Sequence, residues 1–252
     1  MIPALPLLAA ALTAYGWYLW GGWRHLGRAG SRVVRVRSTG NRFARIGRRM
    51  LLLFGGTGLF CLVLLDGVGA LLAMPVEFAP AQRLAVRLTG LDASQRWPMM
   101  LLVSAMLAGG VLAGLIARIR RRPPMTLGRV EGVTPRSLTD LIPAALLSVI
   151  AGLCEELFFR LVLPLLVALV GGGAVLGFGM SAALFGLAHR YQGAVGIAAT
   201  ATVALLLSAA YLLTGQLWVA VVLHTTLDLT GLVVRPVVAG MVRRSETSHR
   251  SR

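Results

Sequence analysis

Glu155, Glu156 and Arg160 interrupt a run from Leu141 to Val170 that contains no other charged residue. A charge at mid-membrane depth costs roughly 2.5 to 3.5 kcal/mol on insertion scales, so such groups pair with one another or face a water-filled cavity. His189, His224 and Asp228 sit in or beside two further apolar runs. Six ionisable groups of these types are the parts of a general acid and base site.

Residues four apart share a helical face, whereas neighbours are about 100° apart. Glu156 and Arg160 therefore suit an intrahelical ion pair, and Glu155 points elsewhere without an internal partner. An unpaired carboxylate in a low-dielectric setting is the kind of group that serves as a general base near neutral pH. Phe185 and His189 share one face, and so do His224 and Asp228. An aspartate one turn from a histidine can fix its tautomer or polarise it. Three helices thus supply a carboxylate, an imidazole, and an imidazole with a carboxylate.

The elements that carry them are membrane helices. Of the 252 residues, 57% are hydrophobic, above the near-half usual in soluble domains. About seven apolar runs approach the ~20 residues that cross a bilayer: 1–23, 50–76, 98–117, 141–170, 174–190, 194–214 and 217–234. The expected fold is all-α, a polytopic transmembrane helical bundle. The first run lacks a basic leader and a cleavage pattern and is expected to stay as an anchor. Prolines 123, 124 and 135 break the 117–140 connection. It separates an N-terminal group of three helices, 1–140, whose role is open, from a core at 141–235 and a basic tail at 236–252. Thr139 or Asp140 is a candidate cap for the fourth helix, and Pro164 a candidate kink. Asp66 marks the outer end of the second helix.

All 25 basic residues are arginine, and the net charge is +16. Nine fall between Arg24 and Arg49 and six between Arg118 and Arg136; Arg243, Arg244, Arg250 and Arg252 close the chain. With seven spans these segments share one face, which the positive-inside rule makes cytoplasmic. The N-terminus is then outside and the C-terminus inside a cell membrane, bacterial by its arginine usage. The charges read as topology signals that attract anionic headgroups rather than as a nucleic-acid surface. Cys61 and Cys154 form no framework and read as packing. His25 and His249 read as solvated.

Depth leaves a tension. At ~1.5 Å per residue, Glu155 is ~21 Å from the cytoplasmic end of its helix at Leu141, and His224 is ~16 Å from the end near Arg235. His189 beside Arg190 counts as too shallow. Either its helix runs on past Tyr191, or Glu155's helix begins within the cytoplasm.

In order and type, Glu155-Glu156 with Arg160, then Phe185 with His189, then His224 with Asp228 resemble the CPBP family of intramembrane glutamate proteases, which includes the CAAX prenyl endopeptidases. The resemblance covers roughly 141–234. It implies an endopeptidase acting on membrane-associated or amphipathic peptides. By match, Glu155 and His189 activate water, His224 and Asp228 sit where the oxyanion forms, and Glu156 with Arg160 and Phe185 support the site. The third motif often ends in asparagine, which can donate to an oxyanion, whereas an ionised aspartate only accepts. Asp228 is therefore expected to orient His224 or to work protonated. Leu161 stands where glycine is frequent.

The expected chemistry needs no cofactor. The rival mechanism is a zinc hydrolase using the same Glu, His and Asp residues, although no H-E-x-x-H occurs. A rival of another class is a non-enzymatic binding, immunity or proton-coupled transport protein with a buried relay; against transport stands the lack of paired repeats.

Overall fold

The computed structural model describes residues 4–26, 40–91, 97–122 and 133–242. The stretches at 27–39, 123–132 and 243–252, with Pro123, Pro124, Arg243, Arg244, Arg250, Arg252 and His249, lie outside the described residues, as does the side chain of His25. Among the described residues the chain is helical without strands: α1 (Ala4–Leu26), α2 (40–64), α3 (Ala79–Thr89), α4 (Trp97–Ile119), α5 (141–169), α6 (Ala174–Ala188), α7 (Gly193–Thr214) and α8 (217–238).

Five of these stretches are long and apolar enough to cross a membrane, within Arg42–Leu64, Leu101–Ile119, Leu138–Leu169, Arg190–Thr214 and Leu217–Val238. The apolar parts of α1, Ala4–Trp20, and of α6 are shorter. The expected run at 50–76 is displaced: α2 starts ten residues earlier, in arginine-rich sequence, and ends at Leu64. An amphipathic turn explains the early start. Phe43, Gly47 and Met50 face the core while Arg45 and Arg48 stay exposed, so a strongly basic segment still buries one apolar stripe. Beyond the helix end Asp66 adopts a positive φ of 53°, one of the few non-glycine residue types that tolerate it. The 77–97 connection contains α3, which opens after Phe78 with Pro80 in its first turn and closes on the left-handed Gly90.

One apolar core runs from Leu7 of α1 to Ala220 of α8. Rings knit its centre. Phe54 of α2 lies 5.0 Å from Phe158 and 5.2 Å from Phe159 of α5, and Phe159 meets Phe185 of α6 edge-on at 5.2 Å. Such pairs add roughly 0.5 to 1.5 kcal/mol beyond their buried area. Tyr15 of α1 donates its hydroxyl to the Leu184 carbonyl at 2.7 Å, which ties the first helix to the sixth.

Of the two candidates, Thr139 and Asp140, Asp140 stands at the N-cap position of α5 but makes no side-chain bond to that helix; it closes the capping box of the short turn Leu138–Asp140 before it. Its carboxylate accepts the N–H groups of Arg136 and Ser137 at 2.9 and 3.3 Å. The depth tension closes without α6 running on past Tyr191, since that helix ends at Ala188. Counted from the 170–173 turn that joins them, Glu155 lies about 21 Å down α5, and the end of α6 lies about 21 Å down its own helix. His189 is the residue at that end. The two are therefore level.

Candidate active site

Pro164 shapes the site's first element. After Glu156 the α5 helix widens into a π turn over Leu157–Val162, where the N–H of Leu163 reaches the carbonyl of Phe158 five residues back. The next donor in that pattern would be residue 164, and proline has none. The orphaned carbonyl of Phe159 instead accepts the Ser181 hydroxyl of α6. One turn earlier on α6, a Cβ at Gly177 would meet the Pro164 backbone at 2.8 to 2.9 Å, so only glycine allows this approach. Wide turns of this kind recur at functional sites because they re-aim side chains.

The re-aimed side chain is Arg160. Its Nη1 lies 3.0 Å from Glu156 Oε1, both groups being no more than 1% exposed. The pair is ionic without hydrogen-bond alignment, and the guanidinium carbon sits 4.5 Å from the centre of the Phe185 ring. A buried charge needs this double compensation. Phe185 also lies 4.7 Å from the His189 ring and 5.9 Å from the His224 ring. It separates the three cationic or polar groups and fixes their spacing.

From α8, His224 enters between the two glutamates. Nδ1 is 2.6 Å from Glu156 Oε1, and Nε2 is 3.8 Å from Glu155 Oε2 and 3.7 Å from Asp228 Oδ2. An ionised carboxylate only accepts, so Nδ1 carries a proton and donates it to Glu156. This departs from the expectation that Asp228 orients His224: the short bond belongs to Glu156, and Asp228, with 32% of its side chain exposed, faces the cavity. The helices can close because of Gly152. A Cβ there would fall on the Thr225 hydroxyl and lie 3.2 Å from the Val221 carbonyl.

His189 caps α6, and its Nδ1 donates to the Phe185 carbonyl at 2.9 Å. That bond leaves Nε2 as the acceptor nitrogen. Glu155, Phe185, His189, His224 and Asp228 all line one cavity of about 500 Å³. Glu155 and His189 share it without a direct bond among the described residues. Glu156 and Arg160 stay behind the wall. Among the described residues no group of three or more His, Cys, Asp or Glu is set to hold a metal ion.

Helical spacing found every one of these ionisable groups. It missed Gly152, and it missed Ser181, which stands four and eight residues before Phe185 and His189 on the same face.

Residues 137–230 match the family model described as Type II CAAX prenyl endopeptidase Rce1-like. They form an Rce1-like domain. This is a protease family of multi-pass membrane proteins, and the match agrees with the resemblance of the three motifs. The Rce1-like domain opens at Ser137, beside the Asp140 cap, and ends just past Asp228, so it contains the whole Glu, Arg and His cluster. The helices α1 to α4 lie outside it. No curated protein and no solved structure matches the chain.

Proposed function

We propose that this protein is an intramembrane endopeptidase that hydrolyses membrane-associated or amphipathic peptides with glutamate-activated water. One observation carries the reading: Glu155, His189 and His224, drawn from three helices, face a single cavity large enough for a peptide segment and water.

In the proposed reaction a water molecule sits between Glu155 and the acceptor Nε2 of His189. Glu155 takes one proton from it while His189 holds the other hydrogen, and the oxygen attacks the scissile carbonyl carbon. Nε2–H of His224 donates to the oxyanion that forms. Collapse breaks the C–N bond, and the proton held by Glu155 passes to the leaving nitrogen. The products are a carboxylic acid and an amine, with one water consumed. Glu156 holds His224 in orientation, and Arg160 holds Glu156 in place. Asp228 faces the Nε2 side of His224, where it supports the imidazolium as the oxyanion develops.

Arginines of α2 and α8 line the cavity, which supports access from the cytoplasmic side of the cell membrane. The N-terminus is then outside and the C-terminus inside. Partners on this reading are the peptide substrate and anionic headgroups, with no nucleic acid and no resident cofactor.

The test is cleavage of amphipathic peptides by purified protein in lipid vesicles, read by mass spectrometry. Products from the native chain and none from Glu155→Gln are expected. Equal products from both would end the proposal.

A further inference from the structure

Five arginines line the cavity that reaches Glu155 and His224: Arg42, Arg45 and Arg49 of α2, Arg190 just after α6, and Arg235 of α8. The three on α2 are spaced three and four apart, so they form one stripe. Arg48, on the neighbouring face, is outside the cavity. Positive-inside placement alone requires arginines at the flank and is indifferent to face. These turn inward.

Among the described residues, three of the five are held by backbone carbonyls. Arg42 donates to the Thr134 carbonyl at 2.7 Å, Arg49 to the Tyr18 carbonyl at 2.9 Å, and Arg190 to the Leu19 carbonyl at 2.6 Å. Arg42 and Arg49 also lie over the rings of Phe43 and Tyr18 at 4.7 and 5.4 Å. Backbone carbonyls and ring faces hold the guanidinium groups of Arg49 and Arg190 in position without carrying a charge of their own, while Arg42 also feels the Asp140 carboxylate. The carboxylates lining the cavity, Glu155 and Asp228, gather at His224. Ile46, Met50, Leu227 and Leu232 supply apolar wall in the same space. The cavity thus combines an arginine set, apolar wall and a glutamate and histidine floor.

We infer that the arginine stripe of α2, with Arg190, is a subsite for a carboxylate of the peptide substrate. The occupant is peptide because the arginines share one space with the reacting groups, so what binds them also reaches Glu155. Planar guanidinium groups suit carboxylates bidentately. The inference rests on the proteolytic reading above, and it assigns a substrate-binding role to α2, which lies outside the Rce1-like domain.

The experiment measures binding, so it is independent of turnover. Fluorescent peptides with one apolar core and either Asp-Glu or Asn-Gln flanks, each with a free or an amidated C-terminus, are titrated by anisotropy. The protein is the full chain carrying Glu155→Gln, in zwitterionic detergent. The expected result is about tenfold tighter binding of carboxylate-bearing peptides; the amidated pair tells side-chain from terminal carboxylate. Arg45→Gln with Arg49→Gln should erase the preference while still binding the neutral peptide, which shows the fold is kept, and Arg48→Gln should retain it. Equal affinity for acidic and neutral peptides overturns the inference. So does an equal loss with Arg48→Gln, or phosphatidylglycerol displacing acidic and neutral peptides alike, which would make this a headgroup site. A binding preference without cleavage by the native chain would sink the protease reading alone, and cleavage without preference this inference alone.

Discussion

His224 Nδ1 of α8 stands 2.6 Å from Glu156 Oε1 of α5, and the same oxygen lies 3.0 Å from Arg160 Nη1. Glu156 is therefore the joint between two helices and between the His224 ring and the Arg160 guanidinium. Its removal and that of Asp228 should have unequal effects, although both are carboxylates within reach of His224.

Glu156→Gln keeps the shape and removes the charge, which strands Arg160 at 1% exposure. Losing one partner of a buried pair costs roughly 3 to 5 kcal/mol, and turnover should fall at least about a hundredfold as His224 loses its orientation. Asp228→Asn, at the cavity wall, should cost under about 1 kcal/mol and retain turnover within about tenfold. Denaturant unfolding in detergent and peptide cleavage read both. Equal losses in the two variants would contradict the assignment of the orienting bond to Glu156.

The widened turn gives a double-mutant cycle. Ser181→Ala leaves the Phe159 carbonyl unpaired and should destabilise by roughly 1 to 3 kcal/mol. Pro164→Ala restores a backbone donor five residues after that carbonyl. The double variant should be more stable than the sum of the singles predicts. Additive losses would mean that Ser181 and Pro164 do not serve the same carbonyl.

The helix contact at Gly152 is equally direct. Gly152→Ala should cost roughly 1 to 3 kcal/mol by overpacking and lower turnover by moving His224 away from Glu156. Adding Thr225→Ala removes the atom that the new Cβ meets first and should restore part of both. No recovery would indicate that α5 and α8 are held apart by the backbone alone.

The ionisable cluster was legible because polar cost in a membrane makes each buried charge conspicuous, and because i,i+4 spacing survives in any helix. Glu156 with Arg160 follows from that rule. Its bond to His224 does not, since the partner is 68 residues away and depends on Gly152 letting α8 close on α5. The number of spans was less legible: α1 and α6 are apolar but short, and five stretches reach spanning length among the described residues. The early start of α2 escaped because arginines mask its apolar stripe, whose buried members, such as Phe43 and Met50, show only once α5 is packed against them. The level of His189 could not be counted from the Leu141 end of α5; it follows from the 170–173 turn that α5 and α6 share.

Metal dependence separates the two hydrolytic mechanisms. Cleavage should be unchanged after dialysis against a strong chelator and unaffected by added zinc. Activity lost to the chelator and restored by zinc would replace glutamate-activated water with a zinc hydrolase built from the same residues.

The most direct test of the central claim is a survey of new peptide termini in membranes of cells expressing the native chain or Glu155→Ala at matched levels. The account predicts a set of termini present with the native chain and absent with the variant, drawn from membrane-associated proteins. An identical set, with both proteins folded and abundant, would contradict proteolysis and leave the cavity as a binding site.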